Sequence, residues 1–472
     1  MPGELLIAAG PGEWRAALLE DGIPVELFVE RGDRNEAGSI HLGRARRLLA
    51  ALGAALVDIG GDRAAFLPLS EVLPRGRRLD EGERVVVQIR REAQGGKAAR
   101  VTTGIALRGQ VVELRWGRPG ILGSQTLSPE ERARLLSAVE AGPASPHPPA
   151  DAGPSLPHGH GGGSGWGLRL LDPAPISAVV VEIADLLSRW RDVHDRAVRL
   201  APPARLDPHL SFAAALANAL PVVPDSILTD DPATIPELRS AFPGASIQHR
   251  PEAEWPIDLD AVFDQALSGT VALDDSGYVH FDAARAAIMV DVDSGTPETG
   301  SPERTGLAVN LAAAGAIARQ IRLRNLGGGI VIDFIGLDDR RLRGRIRDAL
   351  TEALAPDPAR PQILGWTQLG HLELVRPRRG RPPAEILLEP RPGGPLVKTA
   401  VTVAHEVLCA LRREARAQPG RGWRLTIAPG VAAALAGGAA TALHALEQRF
   451  GREIAIEVDP NLDRDRFQVA PA

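Results

Sequence analysis

Two aspartates, each within a short apolar run in the second half of the chain, carry the clearest sign of chemistry. The runs are Ala286-Ala287-Ile288-Met289-Val290-Asp291 and Ile330-Val331-Ile332-Asp333-Phe334-Ile335. Without polar alternation they predict strands buried on both faces of a sheet. Between them, Leu307 to Ile321 repeats its apolar residues at helical spacing, and Gly327-Gly328-Gly329 predicts the helix stop. A strand, a crossover helix and a second strand make a right-handed unit with parallel strands. Asp291 and Asp333 then end at one rim, where open α/β sheets place their ligands. Two carboxylates held close repel one another, and a hard divalent cation with oxygen ligands, most naturally Mg²⁺, resolves the conflict. Arg319, Arg322 and Arg324, on or just past the helix, add anion-binding donors. The same aspartates would also serve as plain caps of strand-to-loop turns, and the pattern alone leaves both readings open.

The elements around this unit are read from the rest of the chain. Its 472 residues suggest about three domains, with ample material for a core. An apolar content of 44% and a charged content of 24% are those of an ordinary globular protein. A net charge of −5 gives no global signature of nucleic-acid binding, so any basic surface must be local. All cationic side chains except Lys97 and Lys398 are arginine, which supplies many bidentate phosphate binders. The single cysteine, Cys409, excludes an internal disulfide framework and a multi-cysteine zinc site. No apolar run approaches the roughly 18 residues of a membrane span, and no cationic segment precedes an apolar one at the start, so a cytoplasmic location is expected.

From the N-terminus, Glu4–Ala9, Trp14–Leu19 and Pro24–Glu30 read as strands. About five further short strands follow, at Gly38–Ala45, Ala54–Gly60, Ala65–Leu69, Glu83–Ile89 and Ala98–Thr103. Their spacing and turn signals predict a small closed barrel, with an OB-fold as the natural candidate. A charged helix is expected at Ser128–Glu140, a Pro/Gly/Ser-rich linker at 141–165 and an amphipathic helix at Ile176–Arg199. Helices are also expected at Ile257–Leu267, at Arg340–Leu354 with its run of arginines, at Thr399–Ala415 and at Ala432–Phe450.

Several of these stretches resemble the ribonuclease E/G family. Met289-Val290-Asp291-Val292-Asp293-Ser294-Gly295 is similar to the family's metal-binding strand, usually V-D-I-N-[ST]. Ala318-Arg319-Gln320-Ile321-Arg322-Leu323-Arg324-Asn325-Leu326-Gly327-Gly328, followed by Ile332-Asp333-Phe334-Ile335, resembles its I-A-R-Q-L-R-L-R-[DN]-L-G-G…I-D-F-I block. Gly365 to Leu374 resembles its F-G-L-[LV]-E-M strand, and residues 38–103 resemble its S1-type RNA-binding barrel.

The resemblance implies an α/β multidomain chain. In it, an OB-fold (S1-type) barrel at 37–115 is inserted in an RNase H-like subdomain at 1–36 and 206–266. A degenerate 5′-sensor region at 116–205 follows, then a DNase I-like α/β catalytic domain at 267–389 and a small α/β C-terminal domain at 396–472. It implies a Mg²⁺-dependent endoribonuclease specific for single-stranded RNA, acting in rRNA or mRNA processing or decay and leaving 5′-phosphate and 3′-hydroxyl ends. Asp291 and Asp333 would hold Mg²⁺, and Asp293 would orient the site or join the metal shell. Phe66 and Lys97 match positions that contact RNA, Arg169 matches the 5′-phosphate arginine, and Arg322 and Arg324 would contact RNA or serve structure.

This chain departs from the family pattern at several positions. Asp293 stands where the family has asparagine, and Gly336 where an aspartate often follows D-F-I. Leu56 replaces a second aromatic, and Leu170 replaces the threonine beside Arg169. The family's C-P-x-C motif, through which two chains share zinc, is absent, so a homodimer would form without that link. The alternative these substitutions motivate is a non-catalytic RNA-binding protein on the same fold.

Overall fold

The computed structural model describes residues 3–31, 38–61, 63–91, 93, 98–109, 111–122, 127–140, 165–171, 175–207, 211–220, 223–273, 277–284, 286–295, 302–336, 339–391 and 393–472. The expected linker at 141–165 lies, but for its last residue, outside the described residues, as does Lys97. The chain divides into two compact units, one of residues 33–209 and one of residues 1–32 with 210–472. Among the described residues no single helix is long and apolar enough to cross a membrane.

In the 33–209 unit, five strands form a closed barrel: Ile40–Leu49, Ala54–Asp58, Ala65–Pro68, Arg84–Arg91 and Arg100–Thr102. Closure follows because the first strand pairs antiparallel with both the second and the fourth. Ala55, Val57, Leu67, Val85, Val87, Ile89 and Val101 fill the interior. The barrel is consistent with an OB-fold. Beside it, a four-stranded sheet carries the amphipathic helix Ile176–Arg199. Their shared core centres on Trp116, Trp166 and Trp190, in edge contacts at 5.6 and 5.5 Å.

The other unit begins with a five-stranded sheet. Its order is Ser246–His249, Ser226–Thr229, Gly3–Ala9, Glu13–Glu20, Ile23–Arg31. The first three strands are parallel, and the last two are antiparallel additions. The C-terminal segment pairs Trp423–Ile427 with Ala455–Val458 and Phe467–Pro471 under three helices. One helix was expected at Ala432–Phe450, but Pro429–Ala436 and Ala440–Phe450 are separate. The break falls at Gly437-Gly438, where two residues without side chains cost helix stability.

The third sheet runs Thr270–Ala272, Tyr278–Ala283, Ile288–Asp293, Gly328–Asp333, Leu372–Arg376, Gln362–Trp366. Its central pair, Ile288–Asp293 and Gly328–Asp333, is parallel and joined by the helix Pro302–Leu323, as the apolar runs predict. Burial on both faces is not what the strands show. Val290, Val292, Ile330 and Ile332 are buried against Val309, Ala313, Ile317 and Ile321 of the crossover helix and Ile346 and Leu350 of the next helix. Met289, Asp291, Asp293 and Asp333 are exposed on the opposite face. The apolar run conceals this alternation because Met289 and Val331 occupy outward positions.

The helix stop also differs from the expected glycines. The crossover helix ends at Leu323, and Asn325 takes the left-handed conformation with φ 52°. The N–H of Leu326 donates to the carbonyl of Ile321 (2.9 Å) and that of Asn325 to Arg322 (3.0 Å), a Schellman closure on asparagine. The glycines instead open the next strand. There Gly327 lets Arg378 approach, since a Cβ would stand 2.9 Å from its Cγ.

Candidate active site

Asp291 and Asp333 are register partners across the two parallel strands. Neighbouring strands lie about 4.8 Å apart, so the two carboxylates leave adjacent Cα atoms on the same exposed face. Asp293, two residues on, points the same way, and one of its oxygens accepts the Gly295 N–H at 2.9 Å. Among the described residues no arginine or lysine pairs with Asp291 or Asp333. The nearest ring nitrogen is that of His371, whose Nε2 is 3.6 Å from Asp333 Oδ2.

Register extends the row sideways. His280 pairs with Asp291, and Thr270 with His280, while Tyr278 pairs with Asp293. Read across the sheet, the exposed face therefore presents His280, Asp291, Asp333 and His371 in one line. Asp282 and Glu373 occupy further outward positions, and no lysine or arginine does so on these four strands. The face is acidic, which suits a cation and disfavours an unaccompanied phosphate.

The strand end at Asp333 is held from beneath. Asn310, fully buried on the crossover helix, donates through Nδ2 to the Ile335 carbonyl (2.8 Å) and accepts the Ile335 N–H through Oδ1 (3.0 Å). An amide that satisfies both backbone groups of one residue fixes the chain immediately after the carboxylate. Phe334 packs on Trp366 at 6.0 Å, and Arg343 lies over the Trp366 ring at 5.6 Å. Asn310, His280 and His371 were not legible as site residues. A histidine in an outward strand position beside a predicted carboxylate strand was the available signal.

Arg322 and Arg324 are turned inward, which answers to the structural reading the sequence also allowed. Arg322 binds Glu20 (2.7 Å) and Glu26 (2.9 Å). Burial works to lower its pKa, but the two carboxylates hold it above the usual value. Arg324 donates to Gln320 and to the Ser268 carbonyl, both at 2.6 Å, and lies 4.6 Å over the Phe281 ring. Burial pushes it down to about 10. These contacts place both guanidinium groups in the interior, away from the exposed face. Arg376 is likewise buried and paired to Asp357 at 2.6 Å.

The remaining candidates belong to the 33–209 unit. Phe66 is half-buried on a barrel strand opposite Leu56 and Arg100. Arg169 is exposed, with Glu113 at 3.9 Å. Cys409 packs against Gly10, and burial pushes its thiol up to about 12, which suits a core residue and no nucleophile.

Among the described residues no group of three or more His, Cys, Asp or Glu side chains is assembled around one metal position. A pair of carboxylates still fits Mg²⁺, which keeps several waters and takes one or two protein carboxylates.

The fold and this face define an α/β protein with paired strand-end carboxylates on a solvent-exposed sheet. A model of the Ribonuclease E/G family matches residues 174–379. Ribonuclease G of Salmonella typhimurium (strain SL1344) is 29% identical over 99% of both chains, and Ribonuclease G of Escherichia coli (strain K12) is 28% identical over 99% of both. Ribonuclease E of Synechocystis sp. is 29% identical over 83% of this chain and 59% of its own length. The chain is thus similar to ribonuclease E/G family proteins, by the family model over residues 174–379 and by these relatives over nearly its whole length.

Proposed function

We propose that this chain is a Mg²⁺-dependent endoribonuclease that cuts single-stranded RNA in rRNA or mRNA processing, leaving 5′-phosphate and 3′-hydroxyl ends. The observation that carries the reading is the register of Asp291 with Asp333 on an exposed face where, among the described residues of the four strands, no lysine or arginine points outward. Relatives named Ribonuclease G across nearly the whole chain support the same reaction class.

In this reading Asp291 and Asp333 hold the metal. Bound there, Mg²⁺ would activate a water as nucleophile and offset charge developing on the phosphodiester. Asn310 keeps Asp333 in place by pinning Ile335, and His371 restrains the same carboxylate from the neighbouring strand. Asp293 keeps one oxygen on Gly295 and contributes its charge to the acidic face. The carboxylate in place of the family's usual amide strengthens cation attraction and raises the electrostatic cost of an approaching phosphate.

The five-stranded N-terminal sheet, with three parallel strands and two antiparallel ones at one edge, supports an RNase H-like assignment. The half-covered sheet bearing the aspartates supports a DNase I-like one. In this reading the domains span 1–36 with 206–266, 37–115, 116–205, 267–389 and 396–472. Phe66, Lys97 and Arg169 are the proposed RNA contacts of the 33–209 unit, and any homodimer forms without a shared zinc.

A single-stranded RNA labelled at one end tests the reaction. Internal cuts whose downstream fragments are degraded by a 5′-monophosphate-dependent exonuclease support it. Fragments with 5′-hydroxyl ends would contradict the end chemistry.

A further inference from the structure

The chain contains one tyrosine, Tyr278, and it is exposed on the acidic face of the aspartate-bearing sheet, with 45% of its surface open to solvent. Its ring lies 6.3 Å from that of His280, two residues along the same strand, with planes 30° from parallel. The His280 ring is fixed by a 3.0 Å hydrogen bond between Nδ1 and Thr270 Oγ1. Both residues are register partners of site aspartates, Tyr278 of Asp293 and His280 of Asp291. Paired Cα atoms in antiparallel strands lie about 4.5–5.5 Å apart, so the two rings border the carboxylates directly.

We propose that Tyr278 and His280 form a stacking platform for one unpaired nucleobase of the strand whose backbone passes Asp291 and Asp333. The inference rests on the nuclease reading above. It answers a difficulty that the face itself creates. Asp282, Asp291, Asp293, Asp333 and Glu373 repel phosphates, and no outward arginine or lysine on these strands compensates. Attachment at this face therefore gains from an interaction that does not depend on backbone charge. Aromatic stacking meets that need and tolerates any base, since every base has a π-face. The two rings lie along one strand, so the stacked base is set beside the carboxylate pair rather than over it. Single-stranded RNA can present such a base, whereas a duplex keeps its bases stacked inside.

The test uses the full chain carrying Asp333→Asn, to prevent cleavage, and a short single-stranded RNA with one 2-aminopurine moved stepwise along it. The platform predicts fluorescence quenching on binding at one position near the cut site. Tyr278→Ala removes that quenching and weakens binding roughly five- to hundredfold, whereas Tyr278→Phe keeps both. An abasic nucleotide at the quenched position weakens binding as much as Tyr278→Ala, and combining the two adds little. His280→Ala gives a smaller loss in the same direction. If RNA binds, the unmodified chain cleaves it, and Tyr278→Ala changes neither quenching nor affinity, the platform is wrong and the nuclease reading stands. If the unmodified chain neither binds nor cuts RNA, both are overturned.

Discussion

Asp291 and Asp333 face the same side of one sheet as register partners on parallel strands, although 42 positions separate them in sequence. The crossover helix between them makes the pairing possible. Its buried stripe of Val309, Ala313, Ile317 and Ile321 fixes both strands from the opposite face. The acid pair is thus solvent-facing chemistry mounted on a largely apolar floor.

Asn310 is the joint between that floor and the site. Asn310→Leu leaves the part-buried N–H and C=O of Ile335 without this partner, at a cost of about 1 kcal/mol for each. Thermal unfolding of the variant should show a lowered midpoint. Cleavage measured well below that midpoint should fall as well, because the segment carrying Asp333 loses its anchor. Full activity in a destabilised variant would separate the two effects and remove the positioning role.

Arg376 is 1% exposed and holds Asp357, Asn325 and the Leu326 carbonyl, so it closes the turn that launches the Asp333 strand. Arg376→Met leaves a buried carboxylate unpaired and should cost about 3–5 kcal/mol by denaturant unfolding. Adding Asp357→Leu should recover part of that loss. A single variant as stable as the parent would show the pair to be dispensable.

The C-terminal domain is tied to the N-terminal sheet by ion pairs, among them Arg413 with Glu252 (2.7 Å) and Arg416 with Asp231 (3.0 Å). Burial, followed by the charge of Asp230 against the opposing pull of Arg413, pushes Glu252 up to about 7. Between the unfolded value near 4.5 and that folded value the native state binds the extra proton. Stability from this group is therefore full below about 4.5, declines as pH rises, and levels off above 7. His405, whose pKa is lowered by burial, works in the opposite direction near neutrality. The difference between the parent and Glu252→Gln isolates the carboxyl. The variant should gain stability on the parent as pH rises from about 5 to 7.5. Parallel pH profiles for the two proteins would rule the effect out.

On the barrel, Phe66→Ala should weaken single-stranded RNA binding roughly five- to hundredfold while leaving the slope of affinity against salt unchanged. A change in slope without that loss would assign Phe66 to the core and the electrostatics to its neighbours.

The sequence located these elements unevenly, for physical reasons. The helices Ile176–Arg199 and Arg340–Leu354 are expected and found with the same ends, because a long apolar stripe at helical spacing has no competing reading. The aspartate pair was visible because a crossover helix leaves little choice of strand direction. The half-exposed sheet was not, since methionine and valine can sit on either face of a strand. Arg322 looked like an anion binder until the chain brought Glu20 and Glu26 to it from about 300 positions away. The histidines at the ends of the aspartate row needed the register of four strands, which no local pattern encodes. Asn310 needed the contact between helix and strand end.

The measurement that bears most directly on the account is single-turnover cleavage of an A/U-rich single-stranded RNA by the parent and by Asp333→Asn, each in Mg²⁺ and in EDTA. The account predicts internal cleavage by the parent in Mg²⁺ alone and a loss of about a thousandfold or more in the variant, with its fold intact because Asp333 is exposed. Binding without cleavage by the parent would contradict it and leave an RNA-binding protein on a nuclease fold, and equal cleavage by the two proteins would contradict the role given to Asp333.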